Sequence, residues 1–169
     1  HIPWFSMKYQ GKEQNITIKQ LLNFTSGISF NAIEQVQAGD SEQALEELVK
    51  RVMSTELAAM PGREFIYSTV SYDVLGLVIQ YVSNMSYEDF IQENILAEFD
   101  MTQTYANHAD AVKAGMIDGY KLGFLKARKY AAEEYRCNTP AGYVVTNLND
   151  ICNYLKVICL LYTSPSPRD

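Results

Sequence analysis

The sequence predicts a mainly helical α+β fold that contains one short β-hairpin. Two patterns lead to this prediction. Apolar residues recur at helical spacing in residues 44–53, and residues 70–82 are apolar nearly all round, which is typical of a helix buried in a core. In residues 119–125 apolar residues alternate with other types instead. This alternation indicates a strand, and residues 128–131 can pair with it as a hairpin.

The first two helices have recognisable starts. Thr17 is followed three residues later by Gln20, the spacing of a capping box, so a short helix should begin there and end before Gly27. Asp40 is the expected cap of a second helix. Its outer face carries Glu46 and Lys50, four residues apart, a pair that stabilises a helix by a few tenths of a kcal/mol.

The third helix, residues 71–83, is expected at the centre of the core. Gly76 in its middle costs about 1 kcal/mol relative to Ala. We therefore predict that another element packs closely against the helix at this glycine.

The remaining helices are predicted from caps. Ser86 begins an amphipathic helix, and residues 107–116 form a short one. Thr146 or Asn147 caps a last helix that runs to about residue 158. Asp150 lies in the first turn of that helix, where a negative charge suits the helix dipole.

Composition limits the class of protein. The chain has 169 residues, 47% of them apolar and 20% charged, which is enough for one globular domain with a core. The net charge of −6 argues against nucleic acid or an anionic membrane as a partner, and no basic patch stands out. No apolar run is long enough to span a bilayer. The three cysteines and two histidines lack metal-ligand spacing.

The chain is organised around residues 61–84. A Pro-Gly turn leads into a short β-like run that ends at Tyr67, and a polar break, Ser68-Thr69, precedes the buried helix. A tyrosine and two hydroxyl side chains thus lie at a turn held by a rigid element, which is where catalytic groups tend to be found.

This stretch resembles the second active-site motif of the class C β-lactamase-like serine hydrolases, which include penicillin-binding DD-peptidases, D-amino-acid peptidases and esterases. The matching residues are Pro61, Gly62, Phe65, Tyr67, Ser68, Tyr72, Leu75 and Gly76. Thr69 stands where the family usually has Asn. Residues 16–28, 86–104 and 136–158 resemble three further segments of the same family.

The resemblance implies a β-lactamase/transpeptidase-like fold, of which residues 1–158 would be a partial domain, mostly the helical lobe with a short hairpin. It implies that Tyr67 is the general base, activated by a lysine, and that Thr69 lies at a substrate-binding position. It also implies chemistry without metal or cofactor. The implied partner is a small-molecule or peptidoglycan-derived substrate outside the bacterial cytoplasm, with any membrane anchor in segments beyond this chain.

Two motifs of that family do not appear at the places where the family has them. The nucleophile belongs to a Ser-x-x-Lys motif, expected before His1, and a Lys/His-x-Gly motif is expected after Ile158. We therefore expect a serine hydrolase as the parent protein and an inactive fragment. Threonine cannot both donate and accept as an Asn amide does, which weakens the case for β-lactam or D-Ala-D-Ala substrates and leaves esters open. The alternative is a non-catalytic homologue that binds peptidoglycan or another ligand.

Residues 159–169, CLLYTSPSPRD, break from the family pattern. They resemble the translation of a transposon adapter used for sequencing libraries. We expect a non-native, disordered tail, because its two prolines cannot continue a helix.

Overall fold

The computed structural model describes residues 1–163, with side chains to residue 160. The chain divides into two compact units. Unit 1 comprises His1–Tyr87 and Asp118–Tyr143, and unit 2 comprises Glu88–Ile117 and the chain from Val144 onward.

Unit 1 is built from short helices and two hairpins. Its α-helices are α1 (Ile18–Leu22), α2 (Ala44–Met53) and α3 (Val70–Ser83). It also contains 3-10 helices at Phe30–Gln35 and Arg136–Ala141. Its strands are β1 (Met7–Tyr9), β2 (Lys12–Gln14), β3 (Gly119–Gly123) and β4 (Lys126–Tyr130), paired antiparallel as β1–β2 and β3–β4.

The core of unit 1 lies between α2 and α3. The sequence predicted the burial of both helices, because α2 has its apolar residues on one face and α3 is apolar nearly all round. The fully or almost fully buried members are Leu45, Leu48, Val49 and Val52 of α2 and Val70, Val74 and Leu77 of α3. Burying each such side chain contributes about 1.5–3 kcal/mol.

Gly76 makes the predicted close approach in α3. A Cβ atom added to Gly76 would lie 2.2 Å from Cγ of Pro140, within the 3-10 helix Arg136–Ala141. Only a glycine lets the proline ring rest on the helix at this distance. The contact fixes the Pro140-Ala141-Gly142 turn against the helix that follows Tyr67.

The start of α1 is confirmed, whereas the predicted start of α2 is wrong. The Thr17–Gln20 capping box is present in both directions, and α1 ends at Leu22 because Phe24 takes a left-handed conformation (φ 55°). Asp40 does not cap α2. That helix begins at Ala44, and the hydroxyl of Ser41 accepts a hydrogen bond from the backbone N–H of Gln43 at 3.2 Å.

The β3–β4 hairpin is confirmed, whereas the β1–β2 hairpin was missed because three-residue strands are too short to show an alternation. The loop of the β3–β4 hairpin consists of Phe124 and Leu125, both at positive φ. The hairpin also gathers four cations, Lys121, Lys126, Arg128 and Lys129. The expectation that no basic patch stands out therefore does not hold here.

Unit 2 contains most of α4 (Tyr87–Ile91), a π-helical turn at Gln92–Leu96, α5 (His108–Lys113) and α6 (Leu148–Thr163). The amphipathic segment after Ser86 is thus interrupted by the π-helical turn. The last helix extends five residues further than predicted, so the expectation of disorder is wrong for residues 159–163, and residues 164–169 lie outside the described part. Among residues 1–163, no helix has both the length and the apolarity to cross a membrane.

Asp150 joins two segments of unit 2 through hydrogen bonds, in addition to placing a negative charge near the start of α6. Its buried carboxylate accepts hydrogen bonds from the backbone N–H of Gln103 at 2.8 Å and from the Thr104 hydroxyl at 2.7 Å. Asn147 is the cap of α6, since its side chain accepts from the N–H of Asp150, while Thr146 pairs with Thr104. These contacts give Thr104 and Asp150 a structural role.

Candidate active site

The site is built where the turn at residues 24–29 approaches the loop at residues 58–69. Three backbone hydrogen bonds join them. The N–H groups of Ala58, Gly62 and Ile66 donate to the carbonyls of Gly27, Thr25 and Phe24 at 2.8, 2.7 and 2.8 Å. The chain immediately before Tyr67 is therefore tied to the end of α1.

Gly27 makes this approach possible. Its φ is 83°, and an added Cβ would lie 2.1 Å from the carbonyl oxygen of Ala59. Any other residue would be strained in this conformation and would also push the two segments apart. The glycine expected only to end α1 thus serves the packing of the site.

Three buried serines connect the turn at residues 24–29 with the loop before α3 and with the first turn of α3. The hydroxyls of Ser26 and Ser71 are hydrogen-bonded at 3.2 Å, and Ser68 donates to the carbonyl of Ser29 at 3.2 Å. All three serines have no exposed surface. Because their hydroxyls are occupied and shielded from solvent, these serines act as structural links, and a substrate carbonyl has no access to them.

Tyr67 lies at the surface of this assembly, with its ring packed on one side and about half of the residue exposed. Its ring packs on Phe24 at 4.9 Å between centroids, and Phe24 also contacts Phe65 at 5.8 Å and Tyr72 at 5.2 Å. We call these four residues the aromatic cluster. Tyr67 is 51% exposed, and among the described residues its hydroxyl has no hydrogen-bond partner.

Thr69 occupies the residue before α3, two positions after Tyr67. It is partly buried and helical in backbone conformation (φ −57°, ψ −36°), and within the described chain its hydroxyl does not cap the helix. Tyr67 and Thr69 thus lie two residues apart, immediately before the buried helix. Neither residue lines the clefts of about 390 Å³ in unit 1 and about 520 Å³ in unit 2.

Asp73 is a buried polar residue of this region that the sequence analysis missed. It lies in the first turn of α3, fully buried, and its carboxyl accepts the backbone N–H of Ala141. In the amide orientation that pairs donors with acceptors, Asn138 donates to both Asp73 oxygens, at 2.8 and 3.2 Å. Asp73 therefore binds α3 to the Pro140-Ala141-Gly142 turn beside the Gly76 contact.

Burial controls the protonation of this cluster. It raises the pKa of Asp73 to about 8, although the hydrogen bond from Ala141 opposes the rise. Burial also raises the pKa of the neighbouring Cys137 thiol, which donates to the carbonyl of Gln37. A protonated Asp73 can donate to the Asn138 carbonyl oxygen, so the preferred amide orientation of Asn138 depends on the protonation state of Asp73.

A signal for Asp73 was available in the sequence. Val70, Asp73, Val74 and Leu77 share one face of a helix, so the carboxyl lies on the stripe that must be buried. A single acid on such a stripe requires polar partners. The sequence did not reveal that the partners would come from the segment around Asn138, because the two are far apart along the chain.

These features define the helical part of a β-lactamase/transpeptidase-like fold. The chain belongs to the beta-lactamase family, whose family model matches residues 1–165. The α+β fold predicted from the resemblance is confirmed.

The relatives and structural neighbours agree with this assignment. Protein flp of Staphylococcus aureus (strain COL) is 34% identical over 156 residues, which cover 92% of this chain and 31% of that protein. The octameric penicillin-binding protein homologue of Pyrococcus abyssi superposes with a TM-score of 0.69 at 26% identity, covering 89% of this chain and 36% of that one. The chain therefore spans well under two thirds of the proteins that it matches.

EstCE1, a hydrolase with promiscuous acyltransferase activity, has a TM-score of 0.74 at 18% identity and covers 93% of this chain and 49% of that one. At this identity the likeness shows the fold alone. Family, fold and the position of Tyr67 at the loop–helix junction are thus the basis for a functional proposal.

The raised pKa of Asp73 predicts a pH-dependent stability. The folded state keeps its proton to about pH 8, whereas the unfolded chain loses it near pH 3.8, so the free energy of unfolding should fall as pH rises between those values. The slope from this group is at most about 1.4 kcal/mol per pH unit. Asp73→Asn should remove it, because the amide does not titrate. Urea unfolding between those limits measures the slope.

The control is Glu64→Gln, which removes one exposed carboxyl from the loop that precedes α3. The slope of its unfolding free energy against pH should equal that of the unsubstituted chain. Equal slopes for the parent chain and Asp73→Asn, or a stability that rises with pH in both, would show that the carboxyl of Asp73 is not titrating as a buried acid.

Proposed function

We propose that the parent protein is a serine hydrolase that forms an acyl-enzyme with β-lactam, D-amino-acid peptide or ester substrates. Tyr67 is its general base, and this chain carries the base without the nucleophile. The observation that supports the proposal best is the state of Tyr67, whose ring packs in the aromatic cluster while the residue stays half exposed and its hydroxyl has no hydrogen-bond partner among the described residues.

A general base must reach the proton that it removes and must be held in place. The backbone ties of residues 58, 62 and 66, and the buried serines on either side of Tyr67, fix its main chain. The ring contact with Phe24 limits its side chain. In the proposed enzyme a Ser-x-x-Lys motif outside this chain supplies both the serine and the positive charge that makes a tyrosinate accessible at neutral pH.

The chain alone should not turn over substrate. Ser26, Ser68 and Ser71 are buried in structural hydrogen bonds, and none of them begins a Ser-x-x-Lys sequence. A Lys/His-x-Gly strand, which would help to bind the substrate carboxylate and the oxyanion, is likewise proposed to lie elsewhere in the parent protein. No cofactor or metal is required by this scheme.

The proposed substrates are small molecules or peptidoglycan-derived peptides, and the proposed location is outside the cytoplasmic membrane. The support is the family and a relative named for penicillin binding in Pyrococcus abyssi. Thr69 in place of Asn favours esters over amides, since one short hydroxyl cannot satisfy both ends of a substrate amide.

Thr69 also supports a second proposal, a non-catalytic homologue that binds peptidoglycan or a related ligand. The two proposals differ in one measurable property. The hydrolase releases product from an acyl-enzyme, whereas the binding protein holds its ligand unchanged.

We expect Tyr67→Phe in the full-length parent to lower kcat for a p-nitrophenyl ester by about 10²–10⁴-fold, the usual contribution of a general base. KM should change little, because the phenyl ring keeps its contact with Phe24. Phe65→Leu is the matched control for disturbing the aromatic cluster without touching a hydroxyl. The isolated chain supplies the baseline and should hydrolyse neither the ester nor nitrocefin.

Full activity in Tyr67→Phe, or turnover by the isolated chain, would contradict the role given to Tyr67. Ligand binding by the parent without any turnover would favour the binding protein instead.

Thr69→Asn in the parent should raise kcat/KM for nitrocefin by about fivefold relative to the ester, because the new amide adds one neutral hydrogen bond to the substrate, worth about 1 kcal/mol. Thr69→Val, which keeps the shape and removes the hydroxyl, is the control and should not gain nitrocefin activity. An unchanged ratio of the two activities in Thr69→Asn would remove Thr69 from the substrate-binding position.

A further inference from the structure

The β3–β4 hairpin of unit 1 is exposed along nearly its whole length. Nine of its ten strand residues are exposed, and only Gly123 is partly covered. The loop between the strands is the most exposed apolar segment of the hairpin. Phe124 is 95% and Leu125 100% exposed, and Leu122 next to them is 86% exposed. Large side chains in such a position lower solubility, so their presence calls for an explanation.

The backbone conformation of the loop makes large apolar residues unusual at these two positions. Both loop residues have positive φ, 48° for Phe124 and 61° for Leu125, as in a type I′ turn. Such turns strongly prefer Asn-Gly or Asp-Gly, because bulky L-residues are strained at positive φ. Two large apolar side chains therefore remain at the tip despite the backbone strain of positive φ and the unfavourable exposure of apolar surface to water.

Three of the four cations of the hairpin lie on one of its two faces. Opposite residues in an antiparallel pair lie on the same face. The register places Lys121 opposite Arg128 and Gly123 opposite Lys126 on one face. On the other face Tyr120 lies opposite Lys129 and Leu122 opposite Ala127. The face with Tyr120 and Leu122 continues the apolar surface of the tip.

The cations of the hairpin outnumber its acids. Residues 118–130 contain Lys121, Lys126, Arg128 and Lys129 against the single carboxylate of Asp118. Asp118 pairs with Lys129 at the base of the hairpin, at 2.7 Å, which leaves the three cations nearer the tip without a carboxylate partner in this segment. Since exposed charges act over about 8–10 Å, the net charge of the whole chain does not cancel this local excess.

We propose that the β3–β4 hairpin is a membrane-contact element that inserts Phe124 and Leu125 into the surface of an anionic lipid bilayer. The inference does not depend on the proposed hydrolase activity. Lys121 is three residues from Phe124, about 10 Å along a strand. Interfacial elements bury their apolar part about 5–10 Å deep, so Lys121 comes level with the lipid phosphates when the tip is inserted. Lys126 follows Leu125 directly and reaches the phosphates with its long side chain.

Charge complementarity selects this partner over a second copy of the chain. The chain as a whole carries a net charge of −6, but a protein surface would also have to be apolar and concave to accept Phe124 and Leu125. A bilayer offers the apolar layer and the negative surface together, in the order in which the hairpin presents its tip and its cations.

The test is flotation of the 169-residue chain with phosphatidylcholine vesicles, with and without about 30 mol% phosphatidylglycerol. We expect at least tenfold stronger binding to the anionic vesicles, and a loss of that binding when the salt concentration is raised from about 0.05 M to about 0.5 M. Size-exclusion chromatography with light scattering on the same samples reports self-association.

Two double variants separate the contributions. Phe124→Asn with Leu125→Gly removes the apolar tip and installs the preferred type I′ turn, so the hairpin should be at least as stable as before. Lys121→Glu with Lys126→Glu reverses two cations, each expected to contribute about fivefold to binding near an anionic surface. Each double variant should weaken vesicle binding by at least about tenfold.

The matched control is Lys12→Glu with Lys19→Glu, which makes the same change of charge at two exposed lysines outside the hairpin. It should alter vesicle binding by less than about twofold if the effect is local. Equal binding to both kinds of vesicle, no binding, or tip variants that bind as well as the parent chain would overturn the proposal. A tip variant that abolishes a dimer and leaves vesicle binding unchanged would assign the hairpin to contact between two copies.

Discussion

The close approach of residues 24–29 to residues 58–71 is the constraint on which unit 1 depends. Gly27 permits it, since a side chain at this position would run into the carbonyl of Ala59. Backbone hydrogen bonds and the buried pair Ser26–Ser71 then hold the two segments together. Because α1 precedes this junction and α3 follows it, both helices are oriented by it, and Tyr67 is fixed at its edge.

The far side of α3 is secured by a different kind of contact. Gly76 admits the ring of Pro140, and Asp73 accepts the N–H of Ala141 and hydrogen-bonds with Asn138. A buried carboxyl is costly unless it is protonated or fully hydrogen-bonded. Here it joins two segments that are distant in sequence, so the helix after Tyr67 has a defined position on both sides.

The features that the sequence predicted correctly are those that depend on residues close together in the chain. Helical spacing predicted α2 and α3, the capping box predicted the start of α1, and Gly76 predicted a close contact. The sequence did not predict the β1–β2 hairpin, because strands of three residues carry too little pattern. It did not identify Pro140 and Asn138 as the partners of α3, because such contacts depend on tertiary structure. Tyr67 and Thr69 were selected by resemblance to a family, and the structure places them two residues apart before α3 without testing their roles.

The central proposal is that this chain supplies the base and the scaffold of a serine hydrolase whose nucleophile lies elsewhere in the parent protein. The most direct measurement is labelling of the active full-length parent with a fluorophosphonate, followed by mapping of the labelled peptide by mass spectrometry. The account predicts one adduct, on the serine of a Ser-x-x-Lys sequence outside these 169 residues. An adduct on any serine of this chain, or ester hydrolysis by a parent with no reactive serine, would contradict it.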